Sequence, residues 1–140
     1  KWFSPLCLTS AVGMIHVTGY VGREVNVSCS YDEGYESYEK YLCKNDCGDS
    51  DLLITTSNSS KNKYSIHDNK TSRIFTTTIS DLHSVDAGKY WCGVTRTGKD
   101  IYTEVELKLV PVKLYSTHFL YFLGKAATLL YFFFIKEERI

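Results

Sequence analysis

The stretch Asp86-Ala87-Gly88-Lys89-Tyr90-Trp91-Cys92, far downstream of Cys29, constrains this chain more than any other feature. A tyrosine two residues before a cysteine can turn its hydroxyl back onto the backbone of a corner while its ring fills a core. The residues around each cysteine alternate with period two. Val25, Val27 and Cys29 share one side and Glu24, Asn26 and Ser28 the other, while Tyr90, Cys92 and Val94 form one face of a second strand. Cys29 and Cys92 therefore face inward, one on each of two layers, at the separation a layer-closing disulfide needs.

The same alternation recurs between short polar turns. Runs at 38–44, 52–56 and 64–68 read as strands, Phe75, Thr77 and Ile79 alternate with Thr76 and Thr78, and Val105, Leu107 and Leu109 form one face of a last strand. No helical periodicity competes. The pattern predicts an all-β sandwich over residues 14–111.

Sixteen basic residues balance sixteen acidic ones, which leaves no cationic excess to neutralise phosphates and argues against nucleic acid as a partner. Four of the five cysteines lie inside the predicted domain and Cys7 lies outside it. Three glycosylation sequons, at Asn26, Asn58 and Asn69, point to the secretory pathway, where disulfides persist.

Gly19-Tyr20-Val21-Gly22, Val27-Ser28-Cys29-Ser30-Tyr31, Lys40-Tyr41-Leu42-Cys43, Cys47 and the stretch 86–94 together resemble the polymeric immunoglobulin receptor family and its relatives, the single-domain leukocyte receptors of myeloid cells. The resemblance spans roughly residues 15–110 and implies an immunoglobulin V-type sandwich. It implies that Cys43 and Cys47 bridge the third strand to the turn after it. A half zinc site completed by His67 or His83 is the weaker alternative, because no second cysteine pair exists. It implies an ion pair between Arg73 and Asp86 across the bottom of the barrel, alongside the structural role of Tyr90. Leu42 departs from the family, which usually has tryptophan there packed on the central disulfide, so a looser core is expected.

Asp81, His83, Ser84 and Asp86 are triad-type residues but lie too close along the chain to converge, and no nucleophile-elbow context accompanies them. No catalysis, metal or cofactor is expected. Recognition is expected in the loops at one end of the sandwich. The first loop contains Asp32, Glu33, Tyr35 and Glu36, and the last contains Arg96, Lys99 and Asp100. The resemblance implies an extracellular protein ligand such as immunoglobulin, or a lipid head group.

Residues 1–13 carry a basic start, an apolar run and small residues, the remains expected of a signal peptide whose removal would take Cys7 with it. Residues 112–135 include a 22-residue run from Leu114 to Ile135 rich in Leu, Phe and Tyr. As a helix it would span about 33 Å against a hydrocarbon core of about 30 Å. Lys125 near its middle costs roughly 2.5–3.5 kcal/mol on insertion scales, which an acidic neighbouring helix would offset. Residues 136–140 form a short tail with Lys136 and Arg139 on the expected inner side. The expected protein is an activating cell-surface immune receptor in the plasma membrane, single-pass, with Lys125 pairing to a signalling adaptor. Its rivals are a secreted or shed immunoglobulin- or lipid-binding module, and a homophilic adhesion domain using Tyr38, Leu52 and Trp91.

Overall fold

The computed structural model of the chain describes residues 13–111. The signal segment with Cys7 (Gly13 apart), the membrane segment 112–135 with Lys125, and the tail 136–140 lie outside the described residues. Nine strands follow one another: β1 (Ile15–Tyr20), β2 (Val25–Ser30), β3 (Lys40–Lys44), β4 (Leu52–Thr55), β5 (Ser60–Lys61), β6 (Tyr64–Asn69), β7 (Ile74–Ile79), β8 (Gly88–Val94) and β9 (Ile101–Val110). They form a five-stranded sheet in the order β1-β9-β8-β3-β4 and a four-stranded sheet in the order β2-β7-β6-β5. Among the described residues no helix is long and apolar enough to cross a membrane.

The period-two pattern explains which side of each strand is buried. Val27 and Cys29 of β2, Phe75, Thr77 and Ile79 of β7, Tyr90 and Cys92 of β8, and Val105 and Leu107 of β9 all point between the sheets. Cys29 and Cys92 are joined by a disulfide that ties β2 in one sheet to β8 in the other. Tyr90 closes the corner before β8: its hydroxyl donates to the Asp86 carbonyl at 2.6 Å while its ring is fully buried. Burial first, then the nearby Asp86 carboxylate, pushes the Tyr90 hydroxyl above the ordinary phenol range, so it stays a donor.

Leu42 sits opposite Cys92 in the β3–β8 ladder and is wholly buried. A cavity of about 90 Å³ does open near the disulfide, between residues including Phe75, Cys92, Val94 and Ile101, but Leu42 is not among its lining residues. Strand β3 is unusual in its inward face, which reads Lys40, Leu42, Lys44. The leucine fills the middle, and the lysines direct their ammonium groups towards opposite ends of the sandwich, that of Lys40 remaining wholly buried. Lys44 Nζ reaches the Val85 carbonyl at 2.7 Å. Such long side chains bury their methylenes and keep their heads among polar partners.

The expected ion pair between Arg73 and Asp86 does not form. Arg73 lies in the turn before β7, with a positive φ of 57°, and its guanidinium approaches Glu36 at 3.9 Å. Asp86 lies at the other end of the sandwich, about one strand length of roughly 20 Å away. It pairs instead with Lys63, which immediately precedes β6, at 2.5 Å. The cation that closes the bottom comes from the start of β6, not β7, because β6 is the strand that begins at that end.

Candidate functional site

The first loop, residues 32–38, leads from β2 into β3, and the last loop, 95–100, joins β8 to β9. They meet at one end of the sandwich. Arg96 Nη1 donates to the Tyr35 hydroxyl at 3.3 Å, so a residue of each loop spans the gap. Inside the last loop, Arg96 Nε donates to the Lys99 carbonyl at 2.6 Å and its backbone N–H points to Asp100. In the first loop, Tyr35 stacks edge-on against Tyr38 with ring centres 5.4 Å apart. Glu36 accepts from the backbone N–H of Gly34 at 2.8 Å. Its own backbone N–H first, then that of Gly34, holds its carboxyl below the usual carboxylate range. Asp32, Glu33, Arg96 and Lys99 are exposed. The rim they make carries two carboxylates on one loop and two cations on the other.

Asp100 is half-buried. It accepts from the Tyr41 hydroxyl at 2.5 Å, tying the last loop to β3. Burial, then the Asp100 carboxylate, pushes the Tyr41 hydroxyl far above its ordinary value. Tyr41 can lie there because Gly93, opposite it in the β3–β8 ladder, has no side chain: a Cβ at position 93 would come within 2.2 Å of the ring carbon Cζ.

Below this end, the outer face of the five-stranded sheet carries an aromatic row, of which the sequence reading named only Trp91, as part of an adhesion face with Tyr38 and Leu52. Tyr102 packs edge-on against both Tyr41 and Trp91, with ring centres 6.3 and 6.2 Å away. The turn after β3 folds over this row. A disulfide joins Cys43 to Cys47, and the Trp91 indole N–H donates to the Asn45 carbonyl at 2.8 Å. Asn45 and Cys47 both hold positive φ, 57° and 62°, a backbone that tethers at both points can maintain. A groove of about 290 Å³ lies between this turn and Lys89, Trp91 and Tyr102. The signal in the sequence was the pairing of Cys43 and Cys47 with Trp91 and Tyr102 at outward positions of the neighbouring strands. Tyr38 does not join that face; it lies over Tyr35 and lines a separate polar cleft with Glu39, His67 and Asp68.

The sequons occupy different settings. Asn26 is exposed on the outer face of β2, where its side-chain oxygen accepts from Thr78 at 2.8 Å. Asn58 lies in the turn between β4 and β5 and lines a shallow cavity with Leu52, Leu53 and Lys61. Asn69 ends β6 with its side-chain oxygen accepting the backbone N–H groups of Thr71 and Ser72 at 3.1 and 3.2 Å. Of the triad-type residues, Asp86 spends its carboxylate on Lys63 and on the His83 backbone N–H, and His83 Nδ1 lies 2.8 Å from the Asp81 carbonyl. They form a corner, not a reaction centre. Among the described residues no cluster of three or more His, Cys, Asp or Glu could hold a metal ion.

The model of the immunoglobulin V-set domain matches residues 15–111. The chain is 36% identical over 117 residues to the CMRF35-like molecule 3 of Mus musculus, an alignment covering 78% of this chain and 48% of that protein. It is 34% identical over 119 residues to the CMRF35-like molecule 1 of Homo sapiens, covering 79% and 40%. It thus spans about half the length of these curated relatives or less. Among solved structures, the ectodomain of a teleost fish polymeric immunoglobulin receptor is 30% identical with a TM-score of 0.58, covering 71% of this chain and 48% of that one. The second immunoglobulin domain of the mouse polymeric immunoglobulin receptor, at 22% identity, shares the fold with a TM-score of 0.60 and covers 69% of this chain and 96% of that one. With the corner tyrosine, the inter-sheet disulfide and this match over most of its length, the chain belongs to the immunoglobulin V-set family and has CMRF35-like molecules among its relatives.

Proposed function

We propose that this chain is a cell-surface immune receptor that binds an extracellular ligand through the loop end of its V-type domain and signals through an adaptor helix paired with Lys125. The observation that carries the ligand-binding part is the joined loop end. Tyr35 and Arg96 link the first and last loops, and Asp100 is anchored on Tyr41, so both loops are presented as one surface. A rim with Asp32 and Glu33 facing Arg96 and Lys99 favours a ligand of mixed charge, a protein such as immunoglobulin or a zwitterionic head group, over a polyanion. Similarity to CMRF35-like molecules supports the receptor reading.

The membrane part rests on the run from Leu114 to Ile135 and its lysine. Plasma-membrane placement, with the V-type domain outside and residues 136–140 inside, follows from that reading. A second reading, a secreted or shed immunoglobulin- or lipid-binding module, is favoured by His118, Gly124 and Lys125, which lower the apolar character of the same run.

One experiment separates them. The chain is expressed behind a functional signal peptide, membranes are extracted with carbonate, and an acidic-helix adaptor is co-precipitated with wild type and with Lys125→Leu. Retention with adaptor recovered only by wild type supports the receptor. Release into the soluble fraction sinks it in favour of the secreted module. The ligand is sought in parallel with immunoglobulins and with vesicles of phosphatidylcholine, phosphatidylethanolamine or phosphatidylserine, using wild type and Asp32→Lys/Glu33→Lys. Binding that the charge reversal leaves untouched counts against the loop end.

A further inference from the structure

Lys40 is wholly buried at the end of the sandwich that carries the loops. An ammonium has three N–H donors, and each of the three has a partner here. Lys40 Nζ donates to the Tyr35 carbonyl at 2.7 Å, to the Glu36 carbonyl at 2.9 Å and to Asp68 Oδ2 at 2.7 Å. It also lies 4.1 Å from the centre of the Tyr31 ring. The other oxygen of Asp68 accepts from the Tyr31 hydroxyl at 2.7 Å. Burial first, then the hydrogen bond to Asp68, pushes that hydroxyl above its ordinary range, so it remains a donor. The network is closed: one buried cation, one nearly buried carboxylate, and two carbonyls of a loop that contains no strand.

A buried ion pair is a poor way to gain stability, since apolar residues of similar volume often do as well or better. What an apolar replacement could not do is hold the carbonyls of Tyr35 and Glu36. With those two carbonyls turned inward, Tyr35 lies half-buried against the core and Glu36 is half-exposed beside it. Tyr35 then reaches Arg96 of the last loop, and Glu36 faces Arg73. A compact ammonium offers three donors in a tetrahedral, rotatable arrangement, whereas the donors of the larger arginine head are fixed in one plane.

We propose that Lys40 is a positioning residue of the ligand-binding end: with Asp68 and Tyr31 it grips the backbone of the first loop from beneath and so sets the placement of Tyr35 against Arg96 and of Glu36 against Arg73. Its link to recognition rests on the reading that the loop end meets the ligand. The grip itself can be tested without any ligand.

Two charge-neutral double variants of the full chain separate gripping from packing. Lys40→Met/Asp68→Leu removes both charges and the ammonium donors to the loop carbonyls. Lys40→Gln/Asp68→Asn removes both charges but keeps a side-chain N–H donor. Native-state hydrogen exchange is followed at the amides of residues 33–38 and, as reference, at those of β2 and β7. In the Met/Leu variant, exchange of the loop relative to the reference strands is expected to rise by about tenfold or more, the size of one to two lost hydrogen bonds. In the Gln/Asn variant much of the protection is expected to return. Equal loop exchange in wild type and the Met/Leu variant overturns the proposal. So does an equal rise in loop and reference strands in both variants, which would make the pair a packing feature alone. Because the ratio is read within each protein, a general change in stability does not imitate the expected result.

Discussion

Lys63 Nζ and Asp86 Oδ2 lie 2.5 Å apart at the bottom of the sandwich, with the Asp86 side chain almost fully buried and Lys63 about a quarter exposed. Burial alone would raise the Asp86 pKa. The hydrogen bonds from Lys63 and from the His83 backbone N–H outweigh it and hold the carboxyl below its usual value. Its folded pKa is depressed, so its contribution to stability is full above the unfolded value of about 3.9 and fades as the pH falls through the folded value. Asp86→Asn is expected to lower stability by about 1–3 kcal/mol at neutral pH, less than for a fully buried pair because Lys63 is partly solvated. It should also flatten the acid limb of a urea-stability profile measured from pH 6 to pH 2. Arg73→Ala is expected to change stability by about 0.5 kcal/mol or less. A larger loss for Arg73→Ala than for Asp86→Asn would reinstate the pairing that the structure replaces.

Gly93→Ala is expected to act on the last loop from a distance. The added methyl would displace the Tyr41 ring, break its bond to Asp100 and free that carboxylate. Overpacking of this kind typically costs about 1–3 kcal/mol. Tyrosine absorbance during alkaline titration offers a direct check. In wild type, Tyr41 should ionise well above the ordinary phenol value, and in Gly93→Ala it should ionise earlier. An unchanged titration curve would mean the ring had not moved.

The two disulfides should differ in what their loss does. The bridge from Cys29 to Cys92 spans 63 positions and that from Cys43 to Cys47 spans four. Chain entropy assigns about 4 kcal/mol to the first and about 2 kcal/mol or less to the second. Cys43→Ser/Cys47→Ser should therefore fold and melt at a moderately lower temperature, with faster hydrogen exchange confined to residues 44–51. Exchange rising across β8 and β9 as well would show that the turn supports the whole sheet.

Strand β4 ends the five-stranded sheet, and Leu52 on it is exposed. Asn58 lines the same shallow cavity as Leu52 and Leu53, so a glycan there would stand beside a free sheet edge. Unguarded edges invite pairing between chains. Secreted Asn58→Gln is expected to self-associate more than wild type in sedimentation experiments, whereas Asn69→Gln, at the end of β6, is not. Equal behaviour of the two variants, with glycan mapped on both sites of wild type, would remove the guarding role.

The sandwich was legible because its strands alternate cleanly: Val25, Val27 and Cys29, or Tyr90, Cys92 and Val94, need only be placed on one face to give the core. The corner was equally readable, since Tyr90 and Asp86 are local to one another. What failed was long-range pairing. Arg73 and Lys63 each precede a strand and look alike in one dimension; only the direction of β6 and β7 decides which cation sits beside Asp86. Lys40 was passed over for a related reason. A lysine at a strand start reads as solvent-exposed, and its burial depends on Asp68 and the carbonyls of Tyr35 and Glu36, which are brought to it by folding. The groove beside Trp91 likewise depends on where the turn from Asn45 to Cys47 folds, which alternation does not encode. Asp100 counted as a rim residue in the sequence, and the structure instead spends it on Tyr41.

Neighbouring residues of one short strand hold the two loops, Lys40 gripping the first and Tyr41 the last, from opposite faces of β3. Such a layout divides the labour of diversification. Relatives built on the same strand could exchange Asp32, Glu33 or Lys99 freely and present new chemistry on an inherited backbone. A change at Lys40 or Tyr41 would alter the shape on which every later substitution acts. Specificity in a lineage of this kind would drift through the side chains at the rim and jump only when the strand beneath them changes.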